Sequence, residues 1–193
     1  MAALDPRSPL VFDTRDLGRR PGSMLEVSRV IEAPADFGTA VVAVPEGQPL
    51  TVELRLESVV EGVLVTGAVR ADAIGACVRC LDPVDVPVDA RFQELFAYVD
   101  RLDHHRSVGD EEADEELRVE DGLIDLDPVL RDAVVLALPF QPVCDPDCPG
   151  LCSQCGAHLA DDPSHHHDVI DPRWSALSAL AGSPTTDQTK DED

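Results

Sequence analysis

Leu50-Thr51-Val52-Glu53-Leu54-Arg55-Leu56-Glu57 alternates apolar and polar residues over eight positions. Successive side chains of an extended chain point to opposite faces, so this pattern sends one face of a strand into a core and the other into water. The same reading extends outward. Residues 25–32, 40–44, 63–73 and 84–92 are further strand candidates, with Pro45-Glu46-Gly47 and Glu61-Gly62 breaking the chain between them. Parallel neighbours would need longer, usually helical, crossovers, so the connections imply a mainly antiparallel sheet or small barrel. Residues 93–99 fit either a continuation of the last strand or a short helix.

Beyond the strands, Asp127-Pro128 opens the clearest helix. Asp127 can cap free amides, Pro128 fits the first turn where its missing N–H costs nothing, and the mostly apolar residues 129–138 run up to Pro139. Only Arg131 and Asp132 interrupt this body, which therefore should pack on the sheet. A shorter helix is expected from Asp171-Pro172, carrying Trp174, Leu177 and Leu180. The expected class is thus α+β: a mainly antiparallel sheet or small barrel, one packed C-terminal helix and a cysteine-rich zinc-binding loop.

The flanking segments have a different composition. Residues 1–23 are rich in Pro, Gly, Asp and Arg and read as an extended arm, in which Arg19 and Arg20 could clamp onto the protein's own acidic surface or bind a partner. Residues 101–122 contain Asp110-Glu111-Glu112-Ala113-Asp114-Glu115-Glu116, a self-repelling run expected as a solvated loop. Residues 182–193 lack an apolar anchor and are expected to be a disordered acidic tail. The remainder, 24–181, reads as a single domain.

Thirty-eight acidic residues against fifteen basic ones give a net charge of −23. Such a chain repels phosphate backbones and attracts basic partners, although high charge also serves solubility alone. Aromatic residues make up 4% of the chain, too few for an evident base-stacking platform. The N-terminus has no basic region followed by a long apolar run, and no apolar stretch approaches the roughly 20 residues of a bilayer span, so a cytoplasmic location is expected.

In a reducing compartment, six cysteines in two clusters read as metal ligands before disulfides. The first cluster is Cys77-Val78-Arg79-Cys80. The second runs from Cys144 through Cys148 and Cys152 to Cys155-Gly156. A two-residue gap lets one tight turn aim two sulfurs at a common centre, where zinc is the expected ion. Two ligand sets satisfy this rule. The local set, Cys144, Cys148, Cys152 and Cys155, is favoured because it assumes no tertiary contact; the split set joins Cys77 and Cys80 to Cys152 and Cys155. A redox role would call for a thiolate poised as at a helix N-terminus, which neither cluster offers. Hydrolysis would call for an open metal position and a base. His158 or His165-His166-His167 could supply the latter, but no helical His-Glu-x-x-His accompanies them, and the histidine run reads as exposed or as an auxiliary ligand. No catalytic residues are assigned. The sequence also lacks the glycine-rich phosphate and nucleophile-elbow motifs.

Taken in order, several short pieces resemble the YceD family, also called domain of unknown function 177, in its actinobacterial branch. They are Leu17-Gly18-Arg19-Arg20-Pro21-Gly22, residues 56–65, Cys77-Val78-Arg79-Cys80-Leu81, Gln93-Glu94-Leu95-Phe96, Ile124-Asp125-Leu126, Ala137-Leu138-Pro139, residues 144–156 and Asp171-Pro172-Arg173-Trp174. His158-Leu159-Ala160 departs from the Asn-Leu-Asn of many relatives. The resemblance implies a non-enzymatic, cytoplasmic role in accumulation of 23S ribosomal RNA and biogenesis of the large ribosomal subunit. In this family the gene often neighbours that of a small basic ribosomal protein, which implies such a protein, or a large-subunit precursor, as partner. The competing expectation is a direct rRNA-binding module, for which Arg19, Arg20 and Arg79 are the candidate contacts.

Overall fold

The computed structural model describes residues 4–100, 117–167 and 173. The chain divides into two compact units, Met1–Cys148 and Pro149–Asp193. The first is built on one long hairpin. Strand β6 (Gly62–Ala76) and strand β7 (Pro83–Tyr98) pair antiparallel along their whole length, from Gly62 opposite Ala97 to Ala76 opposite Pro83. Residues 93–98 therefore continue the strand. On the other edge of β6, strand β5 (Pro49–Ser58) pairs with residues 63–70, and the short β4 (Val42–Val44) pairs beyond it at Ile74 and Gly75. Strand β2 (Met24–Glu32) lies outside β5, and β3 (Phe37–Gly38) outside β4. One two-residue parallel strand, β8 (Arg118–Val119), adds to the end of β7. The sheet is antiparallel apart from β8 and does not close into a barrel.

The alternation in residues 50–57 is realised face by face. Leu50, Val52, Leu54 and Leu56 are buried opposite Val63, Val65, Val69 and Ala71 of β6 and Val88, Ala90 and Phe96 of β7. The ring of Phe92 covers Gly67, its cross-strand partner, so closely that a Cβ there would lie 2.5 Å from the ring. Gly62 likewise lies against the Phe96 carbonyl, leaving no room for a side chain. On the opposite face, Arg70 bridges Glu53 and Asp89, and Gln93 donates to Thr66. These are exposed polar contacts of small energetic weight, about 0–1 kcal/mol for each ion pair.

The buried face is covered by helix α1 (Asp127–Ala137), which inserts Val129, Leu130 and Val134, with Leu138 just beyond its end. The helix starts differently from the expectation. Leu126 occupies the cap position, and Asp127 lies inside the first turn, where its carboxylate accepts from Arg131 at 3.0 Å. Its charge there still faces the positive end of the helix dipole. The Asp127 amide is taken up by Asp125 Oδ1.

The segment expected as an extended arm contributes to the core instead. Strand β1 (Val11–Asp13) pairs with β9 (Leu123–Asp125), burying Leu10, Val11, Phe12 and, after a 3-10 turn at Arg15–Leu17, Leu17. Thr14 anchors the ribbon through two bonds to the Gly122 carbonyl. Residues 117–122 of the expected acidic loop thus form strand and turn; 101–116, most of the second helix and the tail lie outside the described residues.

Candidate metal centre

The turn joining β6 to β7 is Cys77-Val78-Arg79-Cys80-Leu81-Asp82, so the longest hairpin of the sheet presents a Cys-x-x-Cys at its tip. The turn closes through Cys77 N–H to the Asp82 carbonyl and Leu81 N–H to the Cys77 carbonyl, at 2.8 and 2.9 Å. Leu81 takes φ +65°, a left-handed conformation that a Cβ disfavours. Beyond α1, the chain returns beside this tip: Val78 N–H donates to the Pro142 carbonyl at 2.9 Å. Arg79 completes the clamp, with Nη1 donating to the carbonyls of Pro146 and Cys148 at 3.0 and 2.9 Å.

This arrangement gathers Cys77, Cys80, Cys144 and Cys148, whose sulfurs all lie within 4.8 Å of one another. Cys77 to Cys148 is 3.9 Å and Cys80 to Cys144 is 3.5 Å. Both are far beyond the roughly 2.05 Å of a disulfide. A tetrahedron with metal–sulfur bonds of about 2.3 Å has edges of about 3.8 Å, so the two opposite pairs match it to a few tenths of an ångström. Three of the thiols are buried and Cys144 is exposed.

Their electrostatics fit a cation as well. Burial works against a charged Cys77, but backbone amides of Cys144, Cys80 and Arg79 and the Cys80 thiol outweigh it and pull the thiol down to about 6. For Cys80 the Asp82 amide favours the thiolate, yet burial, the Asp82 side chain and the thiols of Cys77 and Cys144 together push it up. Cys144 is helped by the Cys80 thiol but raised on balance by Cys148, burial and Cys77. Cys80 and Cys144 therefore resist ionising in this crowded group. A divalent cation reverses that balance by stabilising every thiolate it binds.

A second group converges in the other unit: Cys152, Cys155, His165 and His167. Cys152 and Cys155 flank a turn closed by Gly156 N–H to the Cys152 carbonyl and Cys152 N–H to the Ala157 carbonyl, both 2.8 Å. Gly156 takes φ +73°, as its position beside the last cysteine requires. The amides of Gln154 and Cys155 lower the Cys152 thiol to about 6 against the opposing effect of burial, with His165 assisting.

The grouping differs from both sets weighed on sequence. Cys144 and Cys148 take their partners from the β6–β7 turn rather than from Cys152 and Cys155, and the latter pair with histidines rather than with Cys77 and Cys80. Of the histidine run read as exposed or as an auxiliary ligand, His165 and His167 are the two that join a set, with Cys152 and Cys155. The signal was countable: six cysteines and a His-x-His spacing make eight donors, which divide into two groups of four. Of the arginines considered for partner binding, Arg79 holds the knuckle, while Arg19 lies over the Tyr98 ring at 4.2 Å and pairs with Asp100 at 3.0 Å. Arg20 is exposed.

A family model described as large ribosomal RNA subunit accumulation protein YceD matches residues 65–181, a span that contains all eight donors. The chain is 49% identical over 185 residues to uncharacterized proteins of Mycobacterium bovis and Mycobacterium tuberculosis, covering 96% of this chain and 87% of theirs. An uncharacterized protein of Mycobacterium leprae is 41% identical over 186 residues, covering 96% and 83%. No solved structure matches. Among the described residues, no helix is long and apolar enough to cross a membrane.

Proposed function

The chain belongs to the YceD family, and from that premise we propose that it is a non-enzymatic, zinc-stabilised factor acting in 23S rRNA accumulation and large-subunit biogenesis, in the cytoplasm, by binding a basic ribosomal protein or an assembly intermediate. The observation that carries this reading is the family match itself, over the segment that holds the metal ligands. Several physical arguments support its finer parts. Four thiol ligands and no carboxylate favour zinc over magnesium or calcium. Four protein ligands also fill a tetrahedral zinc, leaving no position for water or substrate, which is the pattern of a structural rather than a hydrolytic site. Six free thiols suit a reducing compartment.

The ion's contribution is mechanical. It would fasten the tip of the β6–β7 hairpin to the segment after α1, adding to the Val78–Pro142 and Arg79–Cys148 bonds and fixing the surface around them. A net charge of −23 favours a basic protein as partner over an RNA backbone. An acidic surface of this kind would shield a basic ribosomal protein until RNA displaces it.

In-cell crosslinking followed by separate recovery of proteins and RNA tests this reading. It expects one or more basic large-subunit proteins to crosslink directly, with rRNA recovered only through them. Direct rRNA crosslinks that persist after those proteins are stripped would replace the adaptor reading with a direct RNA-binding one. Cells carrying C77S/C80S should accumulate less 23S rRNA; unchanged levels would separate the knuckle from the function.

A further inference from the structure

We infer that Cys152, Cys155, His165 and His167 form a second metal site, independent of the four-cysteine centre and suited to a divalent cation of the zinc class. Cys155 Sγ lies 3.3 Å from Nε2 of both His165 and His167, and the two Nε2 atoms are 2.9 Å apart. With Cys152, all four ligand atoms lie within 4.8 Å of one another. A tetrahedron with bonds of about 2.3 Å to sulfur and 2.0 Å to nitrogen has S–N edges of about 3.5 Å and an N–N edge of about 3.3 Å. The observed edges are a few tenths shorter. The two rings meet edge to face, at 82°, so stacking does not bring them together. A hydrogen bond between neutral imidazoles accounts for one contact, but not for two sulfurs and two equivalent ring nitrogens turned to one point.

The packing of this segment argues in the same direction. Between 149 and 167 only Gly150 is buried; Leu151, Cys152, Ala157, His158, Leu159 and His165 are half-buried and the rest are exposed. Among these described residues, hydrophobic burial is thus confined to the half-buried Leu151, Ala157 and Leu159, with no fully buried apolar side chain to fix the segment's shape. The backbone bonds are short-range: the two that close the Cys152–Ala157 turn, Leu159 N–H to the Gly150 carbonyl, Asp161 N–H to the His158 carbonyl, His165 N–H to the Asp162 carbonyl, and the Leu151–His158 bridge. A segment with so little buried apolar surface among its described residues is commonly ordered by a metal or by disulfides, and these cysteines are free.

The two sites also differ chemically. Four thiolates leave a divalent ion with a net charge of −2. Two thiolates and two neutral imidazoles balance it. The ligands of the second site are half-buried or exposed, whereas three of the four thiols in the first are buried. The second site should therefore exchange its metal faster, and chelation should disorder residues 149–167 while the sheet persists.

The test uses full-length reduced protein loaded with cobalt(II), whose absorption distinguishes all-sulfur from mixed sulfur–nitrogen coordination. The parent should bind two equivalents with both signatures. H165A/H167A should bind one, with the all-sulfur signature alone. C77S/C80S should retain the mixed one. A parent that shows no mixed sulfur–nitrogen signature, or H165A/H167A that still binds two equivalents, overturns the inference. So does folded C77S/C80S that binds none. Because the histidines contribute nothing to the buried core, the parent and H165A/H167A decide the matter even where C77S/C80S fails to fold. A loss confined to the all-sulfur component would count against the four-cysteine centre alone.

Discussion

Leu130→Ala, set against Leu136→Ala, isolates what helix α1 contributes to the fold. Both positions lie within the same helix, and the exchange of Leu for Ala changes helix propensity little and equally. Their surroundings are opposite: Leu130 is fully buried, while Leu136 is 85% exposed. Truncation removes three carbons from the core at 130, about 2.4 kcal/mol of transfer free energy at ~0.8 kcal/mol per methylene. The cavity term raises this into the range of about 3–4 kcal/mol. At 136 the cost should stay within about 0.5 kcal/mol. Urea unfolding at a fixed free zinc concentration reads the difference, because metal bound only to the native state would otherwise shift both midpoints. With a slope of about 1–3 kcal/mol per molar urea, L130A should unfold at least about 1 M earlier than L136A. Coincident midpoints would refute the packing of α1 on the sheet.

The core role of the N-terminal segment predicts that F12A, which empties a fully enclosed ring site, loses about 3–5 kcal/mol by the same assay; an arm lying outside the core would lose almost none. R79A removes both bonds that tie the knuckle to the Pro146 and Cys148 carbonyls, so a competing chelator should take metal from the all-sulfur site about 10-fold more readily. Unchanged extraction would show that those bonds do not support the site. L81G relieves a left-handed leucine whose side chain is mostly exposed, and thermal unfolding should show a gain of up to about 1 kcal/mol rather than a loss.

The long strands were legible because alternation over eight or more residues survives any tertiary context, as in 50–57, where every even position is buried. Helix α1 was legible from Pro128 and the apolar run, though its cap was not, because Asp125 and Asp127 are both able to take the amides and only the backbone geometry separates them. The β1–β9 ribbon was hidden for a different reason. Three-residue strands have too little pattern to read, and Phe12 finds Ile124 across more than a hundred residues. The thiol ligands were legible as residues but not as groups. Sequence spacing favoured a local set, whereas the register of β6 and β7 carries Cys77 and Cys80 to the tip that the Cys144–Cys148 segment meets.

Four sulfurs from two distant parts of the chain, Cys77 and Cys80 with Cys144 and Cys148, are expected to hold one ion. X-ray absorption at the zinc edge of H165A/H167A, purified under reducing conditions, tests it without interference from the mixed site. Four sulfur scatterers at about 2.3 Å and one zinc per chain are the expected result. A metal-free protein, or a first shell containing nitrogen, would contradict it.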